Sequence, residues 1–299
     1  MPNGVLIIDK PQGWTSMDVC AKLRGIFHEK RVGHAGTLDP MATGVLPVFL
    51  GRATRAVEFA GESDKEYVAA LRLGIVTNTQ DTTGEVEKSH PVTVTREEVE
   101  RVLDSFRGEI TQIPPMYSAV KIGGKKLYEL ARKGEQVERA ARPVTIHALE
   151  LLKSPPFGWG ETENTYWLRV GCSKGTYIRT LCHDIGQELG CGGAMAELRR
   201  TVACGFGPED AVTLEQVIAA VERGEGESLL RPVDTVFAHL PTITVLGKNE
   251  SKVRNGLAFS LPTAAEGDYR VYNQAGEFLM VGRVTEGKLT TVKNFFEVS

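Results

Sequence analysis

The feature that most constrains the fold of this chain is the stretch at residues 33–44, which contains three glycines, a proline and two threonines. Glycine is entropically costly inside helices and strands, and proline lacks the amide donor that both structures use. The stretch therefore predicts a shaped loop. The apolar run at residues 45–50 follows it directly and predicts a buried strand, which would fix one end of the loop to the core.

One carboxylate, Asp39, lies at the centre of this predicted loop, and Pro40 follows it. The proline biases the Asp39 backbone toward an extended conformation and removes an amide that could have capped the side chain. One interpretation is a carboxylate that faces a pocket. The other is an Asx-turn or a helix cap, which are common roles for Asp in a loop of this composition.

The length of 299 residues indicates two domains, or one large α/β or α+β domain with a small module. No apolar run approaches the roughly 20 residues that span a bilayer, and the first residues lack the pattern of a signal peptide. We therefore expect a soluble, cytoplasmic protein. The five cysteines are widely spaced and form no C-x-x-C pair, which predicts reduced core thiols rather than disulfides or a zinc site.

Charge is distributed unevenly along the chain. The net charge of −3 argues against a protein that binds nucleic acid with its whole surface. Residues 119–142, here called the basic segment, are the best candidate for a surface that faces phosphates, and a solvated helix face is the alternative. Its seven basic residues, against three acidic ones, are Lys121, Lys125, Lys126, Arg132, Lys133, Arg139 and Arg142.

Hydrophobic periodicity predicts strands and helices along most of the chain. Predicted strands occupy residues 5–8, 45–50, 65–74, 144–152 and 166–172. Predicted helices begin near residues 16, 51, 96, 177 and 214, and a short helical segment is expected just before Leu198. Thr95 with Glu98, and Thr213 with Gln216, form the capping boxes of two of these helices. From about Leu240 the pattern changes to short alternating strands, which predicts a small β-rich domain.

Arg179 lies near the start of the helix predicted from residue 177 and is off its buried stripe. A strand-to-helix junction of this kind commonly faces a cleft. The alternative for a single arginine at such a position is a surface ion pair.

Ordered motifs from Asp9 to Leu181 resemble those of the bacterial tRNA pseudouridine-55 synthases, the TruB family. The matching motifs are Asp9-Lys10-Pro11-x-Gly13-x-Thr15-Ser16, Gly33-His34-x-Gly36-x-Leu38-Asp39-Pro40-x-Ala42-x-Gly44, Lys65-x-Tyr67, Pro114-Pro115-x-Tyr117-Ser118-Ala119-x-Lys121, Leu127-Tyr128-Glu129-x-Ala131-Arg132 and Gly175-Thr176-Tyr177-Ile178-Arg179-Thr180-Leu181. The C-terminal portion is similar to the PUA-like module of the family.

The resemblance implies an α+β pseudouridine synthase fold, with a mixed or antiparallel central sheet flanked by helices. It implies a catalytic domain at residues 1–239, with an RNA-clamping insertion at about 114–142, and a PUA-like RNA-binding domain at residues 240–299. No metal or organic cofactor is expected. The implied partner is the T stem-loop of tRNA, bound by a monomer without a guide RNA or an obligatory protein partner.

The resemblance also implies an activity, the isomerisation of uridine to pseudouridine at position 55 of tRNA. Asp39 would be the nucleophile that lets a flipped-out uracil detach and rejoin through carbon 5. Attack at the anomeric carbon, abstraction of the 2′ proton and addition to C6 of the base all remain open routes.

The resemblance implies roles for other residues as well. His34 would help to displace the base, Tyr67 would stack on the uracil, and Arg179 would pair with Asp39 or a phosphate. The further expected site residues are Tyr177, Leu198, Arg55, Asp81 and Lys121. An RNA-binding module without chemistry, a guide-dependent synthase and a phosphotransferase using Asp39 are the alternatives; the third lacks a nucleotide-binding loop.

Overall fold

The computed structural model describes residues 1–296, so the last three residues of the predicted C-terminal domain lie outside the described part. The strands are β1 (Gly4–Lys10), β2 (Val32–His34), β3 (Thr43–Leu50), β4 (Lys65–Leu73), β5 (Ile75–Thr77), β6 (Val86–Ser89), β7 (Gly108–Gln112), β8 (Lys121–Ile122), β9 (Lys125–Lys126), β10 (Arg142–Leu151), β11 (Thr165–Cys172), β12 (Gly193–Ala203), β13 (Thr242–Thr244), β14 (Phe259–Ser260), β15 (Gly267–Tyr272), β16 (Phe278–Thr285) and β17 (Lys288–Asn294). The α-helices are α1 (Ser16–Phe27), α2 (Val57–Ala60), α3 (Arg96–Leu103), α4 (Leu127–Ala131), α5 (Ile178–Glu188), α6 (Leu214–Glu222) and α7 (Lys248–Arg254).

The main sheet has eight strands, in the order β1-β3-β12-β4-β11-β10-β7, with β2 paired to β3. Only the β3–β12 pairing is parallel, so the sheet is mixed and largely antiparallel. The predicted fold class is therefore confirmed. Strand β12 lies at the centre, between the strand that follows the residue 33–44 stretch and the strand that carries Tyr67.

The sheet buries apolar side chains on both faces, as the alternation along β1 shows. Leu6 and Ile8 belong to the cluster that packs against α1, α5 and α6, whereas Val5 and Ile7 belong to a second cluster. That second cluster reaches the C-terminal sheet through Phe237. One continuous apolar interior thus joins the main sheet to the C-terminal sheet.

The helical segment predicted just before Leu198 is wrong, because these residues form part of β12. Met, Ala, Glu, Leu and Arg are all good helix formers, and they dominate residues 194–200. The segment nevertheless fills the slot between β3 and β4, where both of its edges are hydrogen-bonded. Tertiary pairing therefore overrides local propensity, and two register shifts accommodate it.

Smaller differences concern the ends of elements. The stretch at residues 33–44 is a loop only over 35–42, since His34 ends β2 and Thr43 begins β3. The helix predicted from residue 51 is a 3-10 turn, Gly51–Ala56, followed by the single turn α2. Helix α7 had no counterpart in the sequence prediction. Both predicted capping boxes, at Thr95 and Thr213, are present.

The C-terminal sheet contains β13-β15-β16-β17-β14 in that order. Strand β17 of this sheet is attached to the segment after β3, because Arg55 donates to the Asn294 carbonyl (3.1 Å) and Lys293 forms an ion pair with Glu58 (2.6 Å). The domain boundary at residue 239 stays a prediction. Within residues 1–296 all five cysteines are free, and no helix is both long and apolar enough to cross a membrane.

Candidate active site

The Asp39 loop, defined as residues 35–42, joins β2 to β3 and is fixed to the start of α1. The Ser16 hydroxyl accepts a hydrogen bond from the Leu38 amide (2.9 Å) and donates one to the Leu38 carbonyl (3.3 Å). Leu38 itself is buried, whereas the Asp39 side chain remains 37% exposed. Among the described residues no backbone amide caps the Asp39 carboxylate, so it remains open to a ligand.

Lys10 is a buried ammonium group behind this loop. Its Nζ donates to the backbone carbonyls of Pro11 (2.9 Å), Trp14 (2.6 Å) and Pro40 (3.4 Å). Burial lowers the pKa of Lys10 to about 8, although the attraction of Asp39 opposes this shift. The lysine therefore ties the turn after β1 to the residue that follows Asp39.

Arg179, in the first turn of α5, is the charged partner of Asp39. Its Nε lies 2.9 Å from Asp39 Oδ2, and its Nη2 lies 3.4 Å from Oδ1. The remaining donors reach the carbonyls of Thr79 (3.0 Å) and Tyr117 (2.8 Å). Because the arginine side chain is only 6% exposed, this contact is not a surface ion pair. The planar guanidinium fork fixes both the position and the direction of the carboxylate.

Asp81 supports Arg179 from behind. Its Oδ2 lies 3.8 Å from Arg179 Nη1. Its Oδ1 accepts hydrogen bonds from the Thr83 amide (3.0 Å) and from the hydroxyls of Thr79 (2.8 Å) and Thr83 (2.6 Å). These bonds close the loop between β5 and β6 into a rigid turn, and that turn also presents the Thr79 carbonyl to Arg179.

Tyr67 and Leu198 lie on the adjacent strands β4 and β12. Leu198 is opposite Ala69, and Arg200 is opposite Tyr67. Both Tyr67 and Leu198 are buried. Burial raises the pKa of the Tyr67 hydroxyl, and the positive charge of Arg200 opposes that rise.

His34 lies directly before the Asp39 loop, and Tyr177 lies directly before helix α5, which carries Arg179. His34 ends β2 directly before the Asp39 loop, and burial lowers its pKa. Its Nδ1 is buried without a hydrogen-bond partner among residues 1–296. Tyr177 is held through its backbone, since its amide and carbonyl both bond to the Gln112 side chain (3.0 and 3.2 Å).

Two predicted site residues belong to other surfaces. Arg55 is engaged with Asn294 of β17. Lys121 is exposed on the β8–β9 hairpin, where it pairs with Lys126. The structure thus brings Asp39, Arg179 and Asp81 into contact, places Tyr67 and Leu198 on neighbouring strands, and leaves Arg55 and Lys121 on elements of their own.

Sequence reasoning assigned no role to Lys10 or Arg200, although both are fully buried charges. For Arg200 no local signal exists, because the alternation of a strand does not tell which of two adjacent arginines is buried. In the described chain no group of three or more His, Cys, Asp and Glu side chains could hold a metal ion.

Comparison with known families identifies this arrangement. Residues 24–178 match the TruB family pseudouridylate synthase N-terminal domain, and residues 179–238 match the tRNA pseudouridylate synthase B C-terminal domain. The chain belongs to the TruB family. Family membership makes it a pseudouridine synthase by descent, and the Asp39–Arg179 pair lies inside the matched regions.

Relatives in the TruB family support this assignment over nearly the whole chain. A tRNA pseudouridine synthase B of Geobacillus kaustophilus is 47% identical over 266 residues, covering 88% of this chain and 93% of that protein. One from Aromatoleum aromaticum is 45% identical over 280 residues, covering 94% and 88%.

Solved structures show the same architecture. A crystal structure of a Cbf5-Nop10-Gar1 complex contains a chain with a TM-score of 0.76 and 28% identity, covering 99% of this chain and 85% of the other. A structure of an H/ACA RNP bound to a substrate RNA containing 2′-deoxyuridine gives a TM-score of 0.74 and 26% identity, covering 99% and 86%.

Proposed function

We propose that this chain isomerises uridine to pseudouridine in tRNA, at position 55 of the T arm, with Asp39 as the nucleophile. The observation that carries the proposal is the partly exposed Asp39 carboxylate, which is paired with the buried guanidinium of Arg179. It lies in a loop that is hydrogen-bonded to the start of α1. The names of the TruB relatives supply the substrate class. A binding protein needs no such carboxylate, because an acid repels phosphates.

The reaction changes the atom of the base that is bonded to the ribose. The bond between uracil N1 and ribose C1′ breaks, the detached base turns, and a bond forms between its C5 and C1′. The hydrogen on C5 leaves as a proton, and N1 gains one, so the product is an isomer. Asp39 would start this sequence by attack at C1′ or by removal of the 2′ proton. Arg179 orients the carboxylate for either step without taking part in bond changes.

The uridine must leave its stacked position to reach Asp39. Extruding a base costs a few kcal/mol, and stacking on an aromatic side chain offsets part of this. Tyr67 would supply the stacking face and Leu198 the opposing apolar wall. His34, beside the loop, would occupy the space that the base vacates.

The basic segment would bind the T stem through its phosphates. Five of its seven cations are exposed, whereas Lys126 and Arg139 are partly buried. Phosphate contacts of this kind position an RNA without reading its sequence. We propose that the chain acts on tRNA as a monomer, without a guide RNA or a protein partner.

Tritium release tests the proposal. Unmodified tRNA carrying tritium at C5 of uridine should release it to water with the wild-type chain and not with Asp39→Asn, while tRNA binding by that variant stays within a few-fold of wild type. The matched control is Asp104→Asn, which changes an exposed acid directly after α3. This variant should release tritium at the wild-type rate.

Two results would contradict the proposal. Tight tRNA binding without any tritium release by the wild-type chain would favour an RNA-binding module. Release that appears only after a guide RNA and partner proteins are added would favour a guide-dependent synthase.

A further inference from the structure

Arg200 is the largest side chain in the described structure with essentially no exposed surface. Its Nε donates a hydrogen bond to the Val45 carbonyl (2.7 Å), but Nη1 and Nη2 have no hydrogen-bond partner of normal geometry among residues 1–296. Buried guanidinium groups in folded proteins are nearly always fully paired, since an unpaired buried charge is costly. An arginine kept in this state needs an explanation from its surroundings.

The Asp39 loop and the start of β3 both approach Arg200 closely. A Cβ atom added to Gly36 would lie 2.9 Å from Arg200 Nη1, and one added to Gly44 would lie 2.2 Å from the Arg200 carbonyl oxygen. Both glycines have positive φ angles, 72° and 99°. Gly36 in the loop and Gly44 in β3 therefore approach Arg200 more closely than any other residue type would permit.

The unpaired end of Arg200 faces the catalytic side of the sheet. Arg200 is directly opposite Tyr67 in the β4–β12 register, and side chains at paired positions share one face. Burial lowers the pKa of Lys10, His34 and Lys65, and the positive charge of Arg200 lowers each of them further. Lys10 and Lys65 are donors only, so neither can accept its N–H groups, whereas the neutral form of His34 has one acceptor nitrogen.

The Tyr67 hydroxyl, on the residue directly opposite Arg200 in β4, is a group able to accept from its N–H groups. Burial raises the pKa of Tyr67, and the positive charge of Arg200 opposes that rise. Arginine is suited to this position because its rigid fork can bond Val45 with one nitrogen and direct the others elsewhere. A lysine has one nitrogen and could serve only one of these partners.

We propose that Arg200 is a positioning residue of the active site, which sets the Tyr67 hydroxyl and the Gly36 end of the Asp39 loop against each other. It touches neither Asp39 nor the reacting atoms in this arrangement. It acts through the two elements that do, so that the aromatic ring and the carboxylate face the same uridine. This inference rests on the proposed function, in which Tyr67 stacks on the base.

The competing explanation is that Arg200 serves stability alone. In that case Arg200→Met would unfold the chain or weaken it, and any folded fraction would keep the wild-type kcat. Arg199→Met is the matched control, because Arg199 is the preceding residue of the same strand and pairs with Asp9 (2.8 Å) instead. The Arg199→Met substitution also removes a cation from β12, but one that pairs with Asp9 rather than facing Tyr67 or Gly36.

The test combines kinetics with a readout that does not need activity. Tritium release is measured for wild type, Arg200→Met, Arg200→Lys and Arg199→Met, alone and with Tyr67→Phe. We expect kcat to fall at least tenfold in both Arg200 variants with KM within twofold, and Arg199→Met to keep kcat. In the Tyr67→Phe background the Arg200 substitutions should have a much smaller further effect, since their target is already gone.

The second readout is ¹³C NMR of chains labelled at tyrosine Cζ. The signal missing in Tyr67→Phe identifies Tyr67, and it should shift in Arg200→Met and in Arg200→Lys while the other tyrosine signals stay in place. If Arg200→Met does not fold, Arg200→Lys decides. A folded Arg200 variant with wild-type kcat and an unmoved Tyr67 signal would overturn the inference. Absence of tritium release by wild type would refute the proposed function, and the NMR comparison would still decide the role of Arg200.

Discussion

The Asp39 loop and the basic segment both belong to the proposed RNA-facing surface, yet they are built differently. The Asp39 loop is hydrogen-bonded to Ser16 and Lys10, and Gly36 in the loop and Gly44 in β3 pack against Arg200. The basic segment contains two strands of two residues each and the five-residue helix α4. Leu127 and Leu130 bury its inner side, and most of its cations extend into solvent.

The difference indicates how the two regions divide the work. Isomerisation requires a carboxylate held within a fraction of an ångström, because a small displacement is costly for bond rearrangement. Phosphate binding requires positive charge at roughly the right place, and long side chains can adjust. Rigidity is therefore concentrated at Asp39, and adjustable charge at the basic segment.

The largest expected effect is on the rigid region. Arg179→Met should lower the single-turnover rate about 100- to 1,000-fold, because Asp39 loses the donors that orient it. It should also lower the free energy of unfolding by roughly 3 kcal/mol, since Asp81 is left buried without its partner. Stopped tritium-release assays and urea unfolding measure the two. Arg101→Met, on the exposed face of α3, should change neither; a fall in both variants would mean that the assay reports stability only.

A glycine pair compares the two regions directly. Gly44 and Gly124 both have positive φ, 99° and 83°, but an added Cβ meets backbone 2.2 Å away at Gly44 and nothing within 4 Å at Gly124. Gly44→Ala should therefore reduce the free energy of unfolding by about 3 kcal/mol or more, and Gly124→Ala by about 1 kcal/mol from backbone strain alone. Equal losses in urea unfolding would show that packing around the loop is not what distinguishes the regions.

Charge removal should act on the basic segment alone. Replacing Lys125, Lys126 and Lys133 together by Gln should weaken tRNA binding about tenfold at 0.1 M salt and make the slope of log affinity against log salt shallower by about 2. The rate at saturating tRNA should stay the same. Filter binding across a salt series measures the slope. A lower saturating rate with an unchanged slope would place these lysines in the chemistry.

The smallest expected effect concerns Asp184 on α5, the helix that carries Arg179. Burial raises the pKa of Asp184 from 3.8 to about 6. The folded state therefore binds the proton more tightly than the unfolded state, and its contribution to stability falls as pH rises from about 4 to 6. Because Asp184 is only partly buried, solvent screens much of this effect, and Asp184→Asn should be about 1 kcal/mol more stable than wild type at pH 7 and equal to it below pH 4. A constant difference across this range in thermal unfolding would contradict the assignment.

Much of the fold followed from the sequence. Apolar alternation and capping boxes located α1, α3, α5 and α6 and the strands around Tyr67, because these signals are local. The centre of the sheet did not follow, since β12 has helix-forming residues and becomes a strand only through partners that are far away in the chain. The predicted contact between Asp39 and Arg179 was available from the family resemblance, not from periodicity.

The buried arginine escaped prediction for the same reason. Nothing near Arg200 in sequence specifies that Gly36, Gly44 and Tyr67 will surround it. For Arg55 the resemblance implies a place in the site, whereas the structure shows its side chain bonded to Asn294. Asn294 lies beyond every motif used for the resemblance.

The central place of β12 has a consequence for how the protein is made. Val45 and Arg200 are bonded across 155 positions of the chain, and β3 and β4 have no common neighbour until β12 arrives. During synthesis the ribosome therefore releases Asp39 long before the residues that complete its surroundings. Two strand edges stay open in the interval and are vulnerable to wrong pairing. Activity should appear in one late step as β12 inserts, because loop closure over such a span is slow and nothing shorter assembles the site.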